Sequence, residues 1–131
     1  MNHKLKLFQW AVGACDASTG VLLVFAPVWT LHLMGMKNIP NPADIISFVG
    51  IFVMAVGVSY FLVNREDVSG WKMQWKVTSL VRLSVACFLT WKILGANWEM
   101  LWATVLLTDL VIAGIQIFGL KNGWLDRQQD K

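Results

Sequence analysis

The chain is 131 residues long; 56% of them are apolar and only 15% charged, against roughly 45–50% and about 25% in soluble domains. Its 11 Lys and Arg outnumber its 8 Asp and Glu, for a net charge of +3, but most of these cations flank apolar stretches instead of forming a basic patch, which excludes nucleic acid as a partner and points to a bilayer. The two cysteines, Cys15 and Cys87, stand inside apolar stretches with no CxxC spacing and no nearby histidine, which excludes a disulfide framework and a zinc site of the usual spacing.

In chain order, apolar segments run over residues 7–33, 45–63, 75–94 and 101–120. Each reaches, within a residue, the ~20 positions that a helix needs to cross ~30 Å of hydrocarbon. Strands are excluded, because an isolated strand cannot satisfy its backbone in lipid and no barrel-like alternation is present. The first segment carries Pro27, which removes a backbone donor and predicts a kink. It ends at Gly35-Met36-Lys37-Asn38-Ile39-Pro40, and Asn41-Pro42-Ala43-Asp44 reads as a cap, a proline at the first helical position and an acid in the first turn. The second joint, Asn64-Arg65-Glu66-Asp67-Val68-Ser69-Gly70, is charged and closes on glycine; the third, Gly95-Ala96-Asn97, is a hairpin with Asn97 as the cap of the fourth segment. Such short joints make successive helices antiparallel neighbours, so the expected fold is all-α: a single membrane domain over residues 1–131, built as an up-down-up-down four-helix bundle.

Orientation follows from the cations. Lys4, Lys6, Arg65, Lys72, Lys76, Lys121, Arg127 and Lys131 share one face, and only Lys37 and Lys92 the other, which puts both termini in the cytoplasm. Tryptophans are the expected interfacial anchors: Trp10, Trp71, Trp75 and Trp124 on the cytoplasmic side, Trp29, Trp91, Trp98 and Trp102 on the other. Val12-Gly13-Ala14-Cys15 after Lys4 and Lys6 has the form of a lipoprotein cleavage box. The apolar run before it is short and interrupted by Gln9, and cleavage would invert the remaining helices, so an uncleaved helix is expected.

Three charges lie within the spans, Asp16, Arg82 and Asp109, and each must face protein and find a partner. Counting from Trp10 and Trp75, Asp16 and Arg82 both lie ~9–10 Å into the hydrocarbon, with Gln116 at similar depth and Asp109 nearer the midplane. Arg82 is therefore expected to pair with Asp16, with Asp109 as the second partner within reach of an arginine stem. Ser18, Thr19, Ser59, Tyr60, Thr78 and Ser79 add polar groups to the same half, and Gly13 and Gly20 permit close helix approach, as does the stripe Ser47, Gly50, Met54, Gly57 and Phe61. An ion pair that locks two helices is the first reading of the cluster; a polar pocket for a headgroup, a quinone ring or a proton is the second. His3 and His32 stand near opposite faces, which argues against haem between helices, and no phosphate loop, metal motif or catalytic triad is present. No catalytic residue and no metal ligand are assigned.

The stretch Asp16-Ala17-Ser18-Thr19-Gly20-Val21-Leu22-Leu23, with Pro27 and Leu31-His32-Leu33-Met34-Gly35, resembles the first helix of DoxX-like small membrane proteins. Gly50-Ile51-Phe52-Val53-Met54-Ala55-Val56-Gly57-Val58-Ser59-Tyr60-Phe61-Leu62 resembles their second helix, and Arg82 an arginine of their third. The resemblance implies a prokaryotic cell membrane, a four-helix bundle and a link to quinone or redox partners.

The leading functional expectation is a non-catalytic accessory subunit of a larger membrane assembly linked to electron transfer or quinone, in contact with lipid and with protein partners or further copies of itself. The first alternative is a quinone- or lipid-binding protein whose cytoplasmic-half pocket is lined by Asp16, Tyr60, Arg82 and Gln116, with Asp109 beside them. The second is a small proton-coupled transporter that uses Asp16.

Overall fold

The computed structural model describes residues 3–39, 44–63 and 67–126. It is all-helical over those residues: α1 His3–Phe25, α2 Pro27–Leu33, α3 Asp44–Leu62, α4 Val68–Gly95 and α5 Trp102–Lys121. α1, α3, α4 and α5 are each long and apolar enough to cross a membrane. The chain divides into two compact units, one holding α1, α2 and α3 and the other α4 and α5. Each unit is built on an antiparallel helical hairpin.

The first expected span is two helices, not one. Ala26 leaves helical geometry (φ −142°, ψ 57°), and Pro27 starts α2 at its first position. The physical cause is the proline, which lacks the N–H that would bond the carbonyl four residues earlier and whose ring crowds that carbonyl. Thr30 bridges the break, its hydroxyl lying 2.7 Å from the Ala26 carbonyl and 3.1 Å from that of Leu22. α2 then ends in a Schellman motif on Gly35, whose φ of 88° favours glycine. Met36 N–H reaches the Leu31 carbonyl and Gly35 N–H that of His32, while Leu31 and Met36 are both buried, the apolar contact that accompanies this turn.

Within the first unit, α1 and α3 approach closely along glycines spaced seven apart on each helix, Gly13 and Gly20 against Gly50 and Gly57. A Cβ on Gly57 would collide with the Ala17 backbone, one on Gly20 with the Met54 backbone, and one on Gly50 with the Leu23 Cβ at 2.8 Å. Gly13 faces Tyr60, which is buried. Small residues let backbones touch where no hydrophobic force drives helices together, so dispersion contacts hold this seam.

In the second unit, α4 starts at Val68, seven residues before the expected Trp75. Asp67 caps it by accepting the Gly70 N–H at 2.9 Å, so Gly70 lies in the first turn and does not close the loop. At the other end, Asn97 adopts a left-handed φ of 52°, and the Trp98 N–H bonds back to the Lys92 carbonyl. Asn97 thus finishes α4 and does not cap α5, whose preceding residue Leu101 makes no side-chain cap bond. α5 ends in a second Schellman motif: Gly123, φ 61°, donates to Leu120 and Trp124 N–H reaches back to the Gly119 carbonyl. The expected cap Asn41-Pro42-Ala43 lies outside the described residues.

The glycine seam makes a direct test. Gly57→Leu or Gly20→Leu should destabilise the chain by ~1–3 kcal/mol or more through overpacking, read as a lower midpoint in denaturing-detergent titration. Gly114→Leu, at a glycine whose Cβ would meet nothing within 4 Å, should leave the midpoint unchanged.

Candidate functional site

Among the described residues most of the buried polar side chains lie on the facing stripe of α4 and α5. On α4 the buried positions are Trp71, Gln74, Trp75, Thr78, Ser79, Arg82, Ala86 and Leu89, and on α5 they are Asp109, Ala113, Gln116 and Gly119. Both sets recur every three or four residues, so each forms one helix face. The register is set by bulk against absence: Gly119 has no side chain, and a Cβ there would meet the Trp75 ring at 2.7 Å and the Trp124 ring at 2.8 Å. One turn inward, Gln116 Nε2 donates to the Thr78 hydroxyl at 3.1 Å, and that hydroxyl donates to the Gln74 carbonyl at 2.8 Å. A further turn inward, Arg82 Nη1 donates to Asp109 Oδ1 at 2.5 Å. At the outer end Lys72 pairs with Asp126 beyond α5, on the exposed surface.

Arg82 thus engages Asp109, the second of its two expected partners. With Trp75 on Gly119 and Thr78 on Gln116, the positions level with Arg82 on α5 are apolar, and the guanidinium reaches one turn further to find a carboxylate. Hydrogen-bonded and 5% exposed, it forms a desolvated charge pair of the kind that is costly to break from one side only. The structure brings Arg82, Asp109 and Gln116 onto one seam. Asp16 and Tyr60 belong to the other unit: Asp16 is half-buried on α1, and Tyr60 is buried on α3 opposite Gly13.

Two buried amides lie outside the expected cluster. Gln9 is completely buried on α1 and donates to the Tyr60 carbonyl at 3.4 Å; Gln74 is 8% exposed on α4. Gln9 stands one helical turn before Gly13, in line with the glycine stripe, and that spacing was the available signal. Gln74 falls where hydropathy is interrupted by Lys72 and Lys76, which hid the first turns of α4.

The expected anchors divide. Trp10, Trp29, Trp91 and Trp98 are exposed and Trp102 and Trp124 half-buried, but Trp71 and Trp75 are 2% and 0% exposed and pack inside the protein. Trp75 is the wedge against Gly119 described above. Cys15 and Cys87 are free thiols. Among the described residues no group of three or more His, Cys, Asp or Glu is placed to hold a metal ion.

No protein-family model, curated protein or solved structure matches the chain. Sequence and fold together describe a small all-helical, multi-pass membrane protein in contact with lipid.

The ion pair predicts an asymmetric mutant cycle. Asp109→Ala should cost ~3–5 kcal/mol by taking away the carboxylate that the buried Arg82 meets, while Arg82→Met combined with Asp109→Leu should recover most of that. Gln116→Leu should cost ~0.6 kcal/mol, the scale of an interhelical hydrogen bond in a membrane. Unfolding midpoints in mixed micelles measure all three, and a double variant as unstable as Asp109→Ala would remove the pair from this role.

Proposed function

We propose that the chain is a single membrane domain that acts as a non-catalytic accessory subunit, packing its helices against a larger membrane assembly. The observation that carries this reading is the outward surface of the spans. Only 17–28% of the apolar window of each spanning helix is buried inside the chain, and Phe48, Phe52, Leu80, Leu107, Val111 and Phe118 are all more than half exposed. Such faces suit lipid and neighbouring transmembrane helices alike. The polar seam supports the same reading, since Arg82 and Asp109 engage each other and Gln116 engages Thr78, as in a latch that fixes helix register. The cation distribution favours both termini in the cytoplasm. The DoxX-like segments on α1 and α3 favour a prokaryotic cell membrane and an assembly that handles electrons or quinone.

A second reading is supported by the excess of buried polar groups over what a latch requires. Gln74 and Ser79 are under 9% exposed in addition to the ion pair and the Gln116–Thr78 contact, and an amide and a hydroxyl beside an arginine are suited to a quinone carbonyl or a phospholipid headgroup.

Purification from native membranes in mild detergent, followed by mass spectrometry of protein and lipid, separates the two. The accessory role predicts a defined membrane partner at fixed stoichiometry. Recovery of an active, partner-free chain would overturn it, and a stoichiometric quinone in that preparation would establish the second reading.

A further inference from the structure

Towards the turn end of the α4–α5 hairpin, starting one residue beyond Arg82 and Asp109 in sequence, α4 and α5 leave a groove of about 570 Å³ lined by Leu83, Cys87, Thr90, Trp91 and Leu94 of α4 and Leu110 of α5. Its volume falls within the ~300–1,000 Å³ of small-molecule sites, and its walls are almost wholly apolar. Leu83 to Leu94 spans ~16 Å of helix at 1.5 Å per residue, about half of the ~30 Å hydrocarbon thickness. The groove is therefore one leaflet long, lies within the spanning segments of both helices, and ends at the hairpin turn.

The mouth of the groove carries a cation in an aromatic setting. Lys92 Nζ lies 4.4 Å from the Trp91 ring centre, 5.6 Å from that of Phe88 and 5.8 Å from that of Trp98. Phe88 packs edge-on against Trp91 and Trp98, and Trp98 lies tilted against Trp102. Trp91 is common to both features: it lines the groove and sits beneath the ammonium. A lysine on a long stem among tryptophans is the arrangement that holds a charge at headgroup level while its neighbours stay in hydrocarbon.

We propose that this groove is a binding site for one anionic phospholipid, with an acyl chain between α4 and α5 and the headgroup phosphate on Lys92. Length fits the chain, because a single leaflet is what an acyl tail traverses. Chemistry fits the tail, because the walls offer it dispersion contacts and almost no polar group. Charge fits the headgroup, because Lys92 stands at the end where that headgroup must emerge. Glu99 on the same turn opposes the anion, so the net preference is the balance of these two residues. The site is distinct from the Arg82, Asp109 and Gln116 seam and does not depend on the role proposed for the whole chain.

The test uses the full chain in phosphatidylcholine vesicles, with phosphatidylglycerol or phosphatidylcholine spin-labelled on the acyl chain as the probe and electron paramagnetic resonance as the readout. The motionally restricted population should favour phosphatidylglycerol over phosphatidylcholine by about fivefold, the scale of one lysine near the surface. Lys92→Gln should lower that preference and Glu99→Gln should raise it, with helical circular dichroism unchanged in both. Cys87→Phe, which fills the groove from an exposed position, should remove the selective component while Lys92 is intact. Equal restriction of the two lipids by the unaltered chain would overturn the proposal, as would a preference left unchanged by either Lys92→Gln or Cys87→Phe.

Discussion

Hydrocarbon offers a polar side chain no water, so an arginine seated in a span must find its acceptor within protein. That requirement governs the α4–α5 hairpin. The Arg82 guanidinium meets Asp109 at 2.5 Å because the two helices are held in one register, and that register is held by Trp75 filling the space that Gly119 leaves open. Gln116 on Thr78 lies between these two contacts. A slip of one helix along the other would remove the tryptophan from its notch and the carboxylate from the arginine together. Packing and electrostatics thus specify the same alignment, and each makes the other's alternatives expensive.

The α1–α3 hairpin solves the same problem by other means. Its seam is built on backbone proximity at Gly13, Gly20, Gly50 and Gly57. Where polar groups do enter, as with Gln9 against the Tyr60 carbonyl, they stand at one end. The first hairpin is held mainly by close backbone contact, and the second by buried polar groups as well.

The spans were legible from hydropathy wherever nothing competed with it. α3 and α5 fall within one residue of the expected 45–63 and 101–120 at each end. The start of α4 was obscured because Lys72 and Lys76 lower the local hydropathy, whereas what starts the helix is a single capping carboxylate, Asp67. Pro27 announced a discontinuity, but whether a proline bends a helix or divides it depends on the backbone around it, here on Ala26 leaving helical geometry while the Thr30 hydroxyl ties α2 back to the Ala26 and Leu22 carbonyls. The glycine stripe was readable because a spacing of seven is a property of one helix. That Arg82 meets Asp109 was readable only as the second of two pairings, since depth counted from tryptophans does not give the register between two helices, which Trp75 sets by packing against Gly119. Register between two helices is written in which side chain meets which gap, and periodicity along either one does not contain it.

The helices differ in length, and a bilayer acts on that difference. At 1.5 Å per residue the 19 residues of α3 extend ~28 Å and the 28 residues of α4 ~42 Å, while the hydrocarbon is ~30 Å thick. The surplus of α4 lies at its Val68 end, since its other end is fixed by the short turn to α5; there Lys72 pairs with Asp126 and Trp71 and Leu125 are buried. This end forms a small folded collar of charged and aromatic residues, and the ~12 Å by which α4 exceeds the hydrocarbon is a reserve against a thicker bilayer. α3 has no such reserve. The elastic strain of a thicker membrane therefore falls first on α3, whose close backbone contacts with α1 leave it little freedom to tilt independently, so bilayer thickness becomes a mechanical load on the glycine seam.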